Sequence, residues 1–218
     1  MGVLKYFLQL AAVLPSVMLV TSCNGIMGGI YDDVDMSGSA DFGFIDACTQ
    51  SKPGIVYIDA TSYTDWVYID FSTMHTVTLD VDSPAPASWD IAVHRYDAKT
   101  NGAKVAMSSA SDFAEAHMAA TSSFVADEWT TETIVTDMST MMDGYLSYAE
   151  SFYNAELSTW LDVDKSTMPP IYTLSGKIYI IALSDGNNIA VKLSDYMNAD
   201  GVKGYMTIEY IYPFELTK

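Results

Sequence analysis

What most constrains this chain is a succession of short runs rich in β-branched and aromatic residues, each closed by turn residues and with no long helical period between them. Residues 55–59, 66–71, 77–81, 89–96, 131–137, 177–183, 189–193 and 205–212 read as strands. The alternation is cleanest in the last, where Met206, Ile208, Tyr210 and Tyr212 share one face and Tyr205, Thr207, Glu209 and Ile211 the other. Residues 184–188 and 198–201 carry the Asp, Asn and Gly of hairpin connections. A short helix is expected at 111–118 with Ser111 as its N-cap. The expected fold class is all-β, mainly antiparallel sheet, with short helical segments.

The N-terminus reads as an export signal over residues 1–22. Lys5 is its basic region, residues 7–20 are apolar apart from Gln9 and Pro15, and Val20-Thr21-Ser22 sets small residues before Cys23. This order predicts a lipobox, with Cys23 acylated and the mature chain held to a membrane by lipid alone. The 14 residues of 7–20 fall short of the ~20 that a spanning helix needs. Residues 23–53, rich in Gly and Asp, are expected to form a flexible tether, and 54–218 a single β domain long enough to bury a core. Once Cys23 is acylated, Cys48 has no partner, so a disulfide framework is excluded and Cys48 reads as an inert thiol.

With 28 acidic against 10 basic residues the formal charge is −18, or −19 once Lys5 leaves. Nucleic acid and anionic membrane surfaces are poor partners for such a chain, and the scattered acids read as a solvated surface. No G-x-S-x-G elbow, H-E-x-x-H, P-loop or C-x-x-C is present, so binding rather than catalysis is expected.

Residues 136–170 lose periodicity yet stay apolar. They hold Met138, Met141, Met142, Asp143-Gly144, Tyr145, Tyr148, Phe152, Tyr153, Trp160 and Ser166-Thr167-Met168-Pro169-Pro170. Thioethers and aromatics in a loop region must cover something apolar, either the protein's own core or a flat ligand. The Pro-Pro pair drives Met168 out of helical geometry and onto a stiff loop. Tyr145, Tyr148 and Trp160 are candidates to stack on a flat ring. Alternatively Tyr145, Tyr148, Tyr153 and Trp160 form a platform for a surface glycan or peptide, or the protein is adhesive and has no small ligand.

The stretch 88–102, S-W-D-I-A-V-H-R-Y-D-A-K-T-N-G, places Trp89, Ile91 and Val93 on one strand face and Asp90, Ala92 and His94 on the other, with 97–102 as the turn. His94 reads as structural, and Arg95, the only arginine, as an ion-pair hub between Asp90 and Asp97. His75 and His117 are weak ligand candidates. This stretch resembles the signature of the HmuY-like haem-binding lipoproteins of Gram-negative anaerobes. So do Tyr63-x-x-Trp66, Trp160-Leu161, residues 170–175, Asp195-Tyr196 and residues 210–213. The founding member holds haem iron with two histidines on two loops. Here all three histidines precede the corresponding region, and the position matching the second lies near Lys165.

A branch of that family with methionines in place of both histidines is similar to this chain at Met141-Met142-Asp143-Gly144 and at 166–170. The resemblance implies Met141 and Met168 as axial ligands, with Met142 and Met138 as rivals of Met141. It implies haem as cofactor, with the ferrous form favoured because a thioether is a soft, neutral ligand. It also implies a lipid-anchored, surface-exposed outer-membrane haemophore. Such a protein takes haem from solution or host haemoproteins and passes it to an outer-membrane TonB-dependent haem transporter.

Overall fold

The computed structural model describes residues 42–216, so the signal segment, Cys23 and the first part of the expected tether lie outside the described residues. The first strands are β1 (Gly43–Asp46), β2 (Gly54–Asp59), β3 (Asp65–Asp70), β4 (His75–Asp80), β5 (Ile91–His94), β6 (Asp97–Thr100) and β7 (Lys104–Met107). Helix α1 (Phe113–Ala116) and strands β8 (Val125–Ala126), β9 (Glu128–Asp137) and β10 (Ser147–Tyr153) follow. Helix α2 (Ala155–Ser158) then leads into β11 (Leu161–Asp164), β12 (Ile171–Leu174), β13 (Tyr179–Ala182), β14 (Asn188–Met197) and β15 (Lys203–Ile211). The all-β expectation holds.

Seven strands form a sheet of order β1-β2-β15-β14-β13-β7-β8, and four form a second of order β4-β3-β5-β6. Every named pairing is antiparallel, including those between strands distant in sequence such as β2–β15 and β7–β13. Alternating residues build the layers. Val67, Ile69, Ile91 and Val93 of the small sheet share one buried cluster with Val56, Ile58, Ile181, Val191, Met206 and Ile208 of the large one. The two sheets therefore close on a common core. The far face of the large sheet is covered near α1, where Phe113 and Ala116 join Ile178, Ile180, Ala190, Ile211 and Phe214.

The far face of the small sheet explains the arms that carry the methionines. Trp66, Tyr68 and Ala92 are buried there with Ile134 of β9, and Ala149 and Tyr153 of β10 pack beside them. β9 and β10 form a separate two-stranded arm, ending in a 3₁₀ turn at Met141–Asp143. Gly144 closes that turn at φ 86°, a left-handed conformation that glycine adopts without a Cβ penalty. A second hairpin, β11–β12, carries residues 165–170 at its tip.

Several expectations require correction. Residues 43–46 of the expected tether are an edge strand paired to β2, and Cys48 is half-buried, its thiol donating to the Tyr212 carbonyl at 3.3 Å. Residues 97–100 form β6 rather than the turn, which falls at Arg95 and Tyr96, with Arg95 at φ 55°. Trp89 lies before β5 begins, so it escapes the alternation and packs edge-on against Tyr68, with ring centroids 5.1 Å apart. The helix is capped by Asp112, whose carboxylate accepts from the Ala114 amide at 2.7 Å, and not by Ser111. Strands β7, β8, β10, β11 and β12 carried no sequence signal strong enough to assign.

Candidate ligand-binding site

The two arms and the β5–β6 turn enclose a cavity of about 680 Å³. The β9–β10 arm supplies Val135, Met138, Met141, Leu146 and Tyr148, and the β11–β12 hairpin supplies Val163, Lys165, Met168, Pro170 and Tyr172. Tyr63, Arg95, Tyr96 and Asp97 line it from the small sheet. This is within the usual volume range of small-molecule sites, and its walls mix aromatic, thioether and aliphatic groups with a few charges.

Met141 and Met168, about 27 residues apart in sequence, are brought to the same cavity from different hairpins. Both keep open surface, 41% for Met141 and 83% for Met168. Met138 also lines the cavity. Met142, 89% exposed, and Tyr145, 72% exposed, do not. Trp160 must be corrected outright as a stacking residue. It is wholly buried in the main core, where its indole N–H donates to the Tyr96 carbonyl at 2.8 Å. The expected platform of Tyr145, Tyr148, Tyr153 and Trp160 therefore does not exist as one exposed surface.

Of the three histidines only His94 lines this cavity; His75 and His117 do not. His94 is buried; its Nε2 lies 2.8 Å from the Tyr63 carbonyl and so acts as the donor, which leaves the buried Nδ1 without a partner. Burial holds its pKa below the ordinary imidazole value, which keeps the ring neutral. His117 stacks on Phe214 with centroids 4.3 Å apart and lies hydrogen-bonded to the Glu215 carbonyl. His75 starts β4 and is exposed, beside a smaller cleft. Among the described residues, no group of three or more His, Cys, Asp or Glu side chains is placed to hold a metal ion. The thioethers of Met138, Met141 and Met168 are the sulfur donors that line this cavity.

Arg95 is not the expected ion-pair hub. Among the described residues the one ion pair is Lys52–Asp46, on the surface. The Arg95 guanidinium instead donates to the Thr61 carbonyl, lies over the Tyr63 ring at 4.4 Å, and leaves its buried Nε without a partner. Among the described residues it makes no ion pair at the cavity wall, and the Tyr63 and Tyr96 rings flank its charge. Asp97 lies on the same wall, and burial pushes its carboxyl up to about 6, the nearby Lys165 opposing the shift. Burial likewise raises the Tyr96 hydroxyl far above its ordinary value. Sequence reasoning missed Tyr63, Tyr96, Asp97 and Tyr172 as lining residues. The signal available was the shared motif around Arg95, which places the β5–β6 turn beside the arms.

The model of the family described as HmuY protein matches residues 62–210. A crystal structure of an HmuY-like heme binding protein from Bacteroides vulgatus is 50% identical, covering 81% of this chain and 100% of that one, with a TM-score of 0.75. A lipoprotein from Bacteroides fragilis is 47% identical, covering 80% of this chain and 97% of that one, with a TM-score of 0.76. The apo HmuY analogue of Tannerella forsythia, 23% identical over 76% of this chain and 97% of that one, shares the fold at a TM-score of 0.63. The curated proteins include no match. With most of the β domain inside the matched span, and half of the aligned residues shared with a solved relative along that relative's full length, this chain belongs to the HmuY family.

Proposed function

We propose that this protein binds haem in the cavity between its two hairpin arms, with the thioethers of Met141 and Met168 as the axial ligands. The observation that carries this reading is the convergence of those two side chains, from separate hairpins, on one cavity walled by aromatic and aliphatic groups. Kinship with a protein described as an HmuY-like heme binding protein points to the same ligand class. Haem supplies an iron with two open axial positions, a flat apolar ring and two carboxylates. Met141 and Met168 would serve the first, and Tyr148, Val135 and Tyr172 the second. Arg95 and Lys165 are the cations on the wall nearest in kind to what carboxylates need.

Thioether donors favour ferrous over ferric iron, which suits capture in a reducing setting. The protein is then a carrier and not a catalyst. Acylated at Cys23, it would sit on the outer membrane, take haem from solution or host haemoproteins, and release it to a TonB-dependent transporter. No helix among the described residues is long and apolar enough to cross a membrane.

Anaerobic titration with haem, oxidised and dithionite-reduced, tests the assignment. The wild type is expected to give a saturable low-spin ferrous spectrum, and Met168→Ala or Met141→Ala to weaken binding tenfold or more. An unchanged spectrum in both variants would remove the methionine ligands. Absence of any saturable spectrum would remove haem.

A further inference from the structure

Away from the methionine cavity lies a second one of about 490 Å³, and its residue set has a different chemistry. Its walls hold Trp89, Trp129 and Phe152, with Lys99, Asn101 and Glu150 among them. Trp129 and Phe152 are 57% and 53% exposed and meet edge to face, with centroids 5.2 Å apart. Large aromatics left open to water beside a cavity are costly unless something flat and partly apolar covers them. Neither is needed by the core, whose cluster beneath the arm consists of Trp66, Tyr68, Ala92 and Ile134.

Lys99 is the centre of this site. Its ammonium lies 4.0 Å from the Trp66 ring centroid, 5.2 Å from that of Tyr68 and 5.9 Å from that of Trp89. It forms no ion pair among the described residues, and its one hydrogen bond, to the Ser151 hydroxyl, is long at 3.5 Å. The Asp127 carboxylate lines the same cavity and offsets part of the Lys99 charge, but its hydrogen bonds are made to other groups. It accepts from the Thr100 amide at 2.6 Å, the Thr100 hydroxyl at 3.0 Å and the Asn154 amide at 2.8 Å. A fixed, partly desolvated cation with unused donors, framed by aromatic faces, suits an anion carried on a ring. Burial pulls its pKa down to about 8, which leaves it mainly protonated at neutral pH.

We infer that this second cavity binds an acidic saccharide, with a carboxylate of the sugar on Lys99 and a ring face on Trp129. Hydroxyl-rich ligands fit better than aromatic acids because Asn101, Glu150, Ser151 and Ser83 give the rim both donors and acceptors. The inference stands independently of haem, because none of Lys99, Trp129, Phe152 or Trp89 lines the methionine cavity.

Isothermal titration calorimetry of the full-length protein tests it with three probes: digalacturonate, the neutral galactobiose, and 4-hydroxybenzoate. Saturable binding of digalacturonate is expected, at least tenfold tighter than galactobiose or 4-hydroxybenzoate, and at least tenfold weaker in Trp129→Ala and in Lys99→Met. Trp129 is exposed, so its truncation leaves the core intact even where Lys99→Met perturbs the packing over Trp66. The inference is overturned if digalacturonate does not bind, if galactobiose binds as tightly, if the aromatic acid binds best, or if Trp129→Ala binds as the wild type does.

Discussion

Asp97 shows how one half-buried carboxyl ties the cavity to the stability of the fold. Its folded-state value of about 6 lies above the ordinary carboxylate value, so the folded protein holds this proton more tightly than the unfolded chain. The resulting stabilisation is complete below about pH 4 and is lost as the pH rises through about 6. Its ceiling is about 3 kcal/mol, reduced by solvent because the residue is only half-buried. Asp70 works in the opposite sense. Hydrogen bonds from Ser88, Ser72 and Thr73 outweigh its burial and hold its carboxyl at about 2, so its contribution is lost only in strong acid. His94, with its depressed pKa, acts in the opposite sense to Asp97 over the same window, so the test is a difference: from pH 4 to 7 the urea midpoint of the apo wild type should fall relative to that of Asp97→Asn. An equal slope in wild type and variant would contradict the assignment.

Between residue and molecule, the decisive unit is the β9–β10 arm. It is a two-stranded ribbon, marginal by itself, and gains its position from what it covers. Ile134 is the one fully buried residue of β9, inserted against Trp66, Tyr68 and Ala92. Ile134→Ala should cost about 2–4 kcal/mol, as other buried Ile truncations do. The loss should concentrate in the arm, because the main core between the sheets does not include it. Limited proteolysis should then cut the variant within 138–146 faster than the wild type, while amides in β2 and β15 keep their exchange protection. Cleavage at the wild-type rate would show that the arm is anchored by other groups.

For the molecule as a whole, the net charge of −18 sets a repulsive background that the fold must overcome. With one surface ion pair among the described residues, little local pairing offsets it. Raising sodium chloride from about 0.05 M to about 0.5 M shortens the screening length severalfold. The melting temperature of the apo protein should rise by a few degrees as a result. Scanning calorimetry at two salt concentrations checks this, and a fall would show that specific attractions outweigh the repulsion.

The sequence by itself determined the β class, most of the long strands and both of the read hairpin connections, because period-two burial and turn chemistry are local properties. It also singled out Met141 and Met168, through a resemblance rather than through their spacing. Tertiary structure alone decided what those residues share. A run read as a turn, 97–100, becomes a strand because Ala98 and Thr100 alternate into a core built by distant segments. Trp160 looks identical in sequence whether it faces a ligand or the interior; the Tyr96 carbonyl and the closing sheets put it inside. Arg95 lost its expected carboxylate partners and gained a cavity wall for the same reason. Which groups meet across about 70 residues of chain depends on the packing of layers, and no local pattern records that.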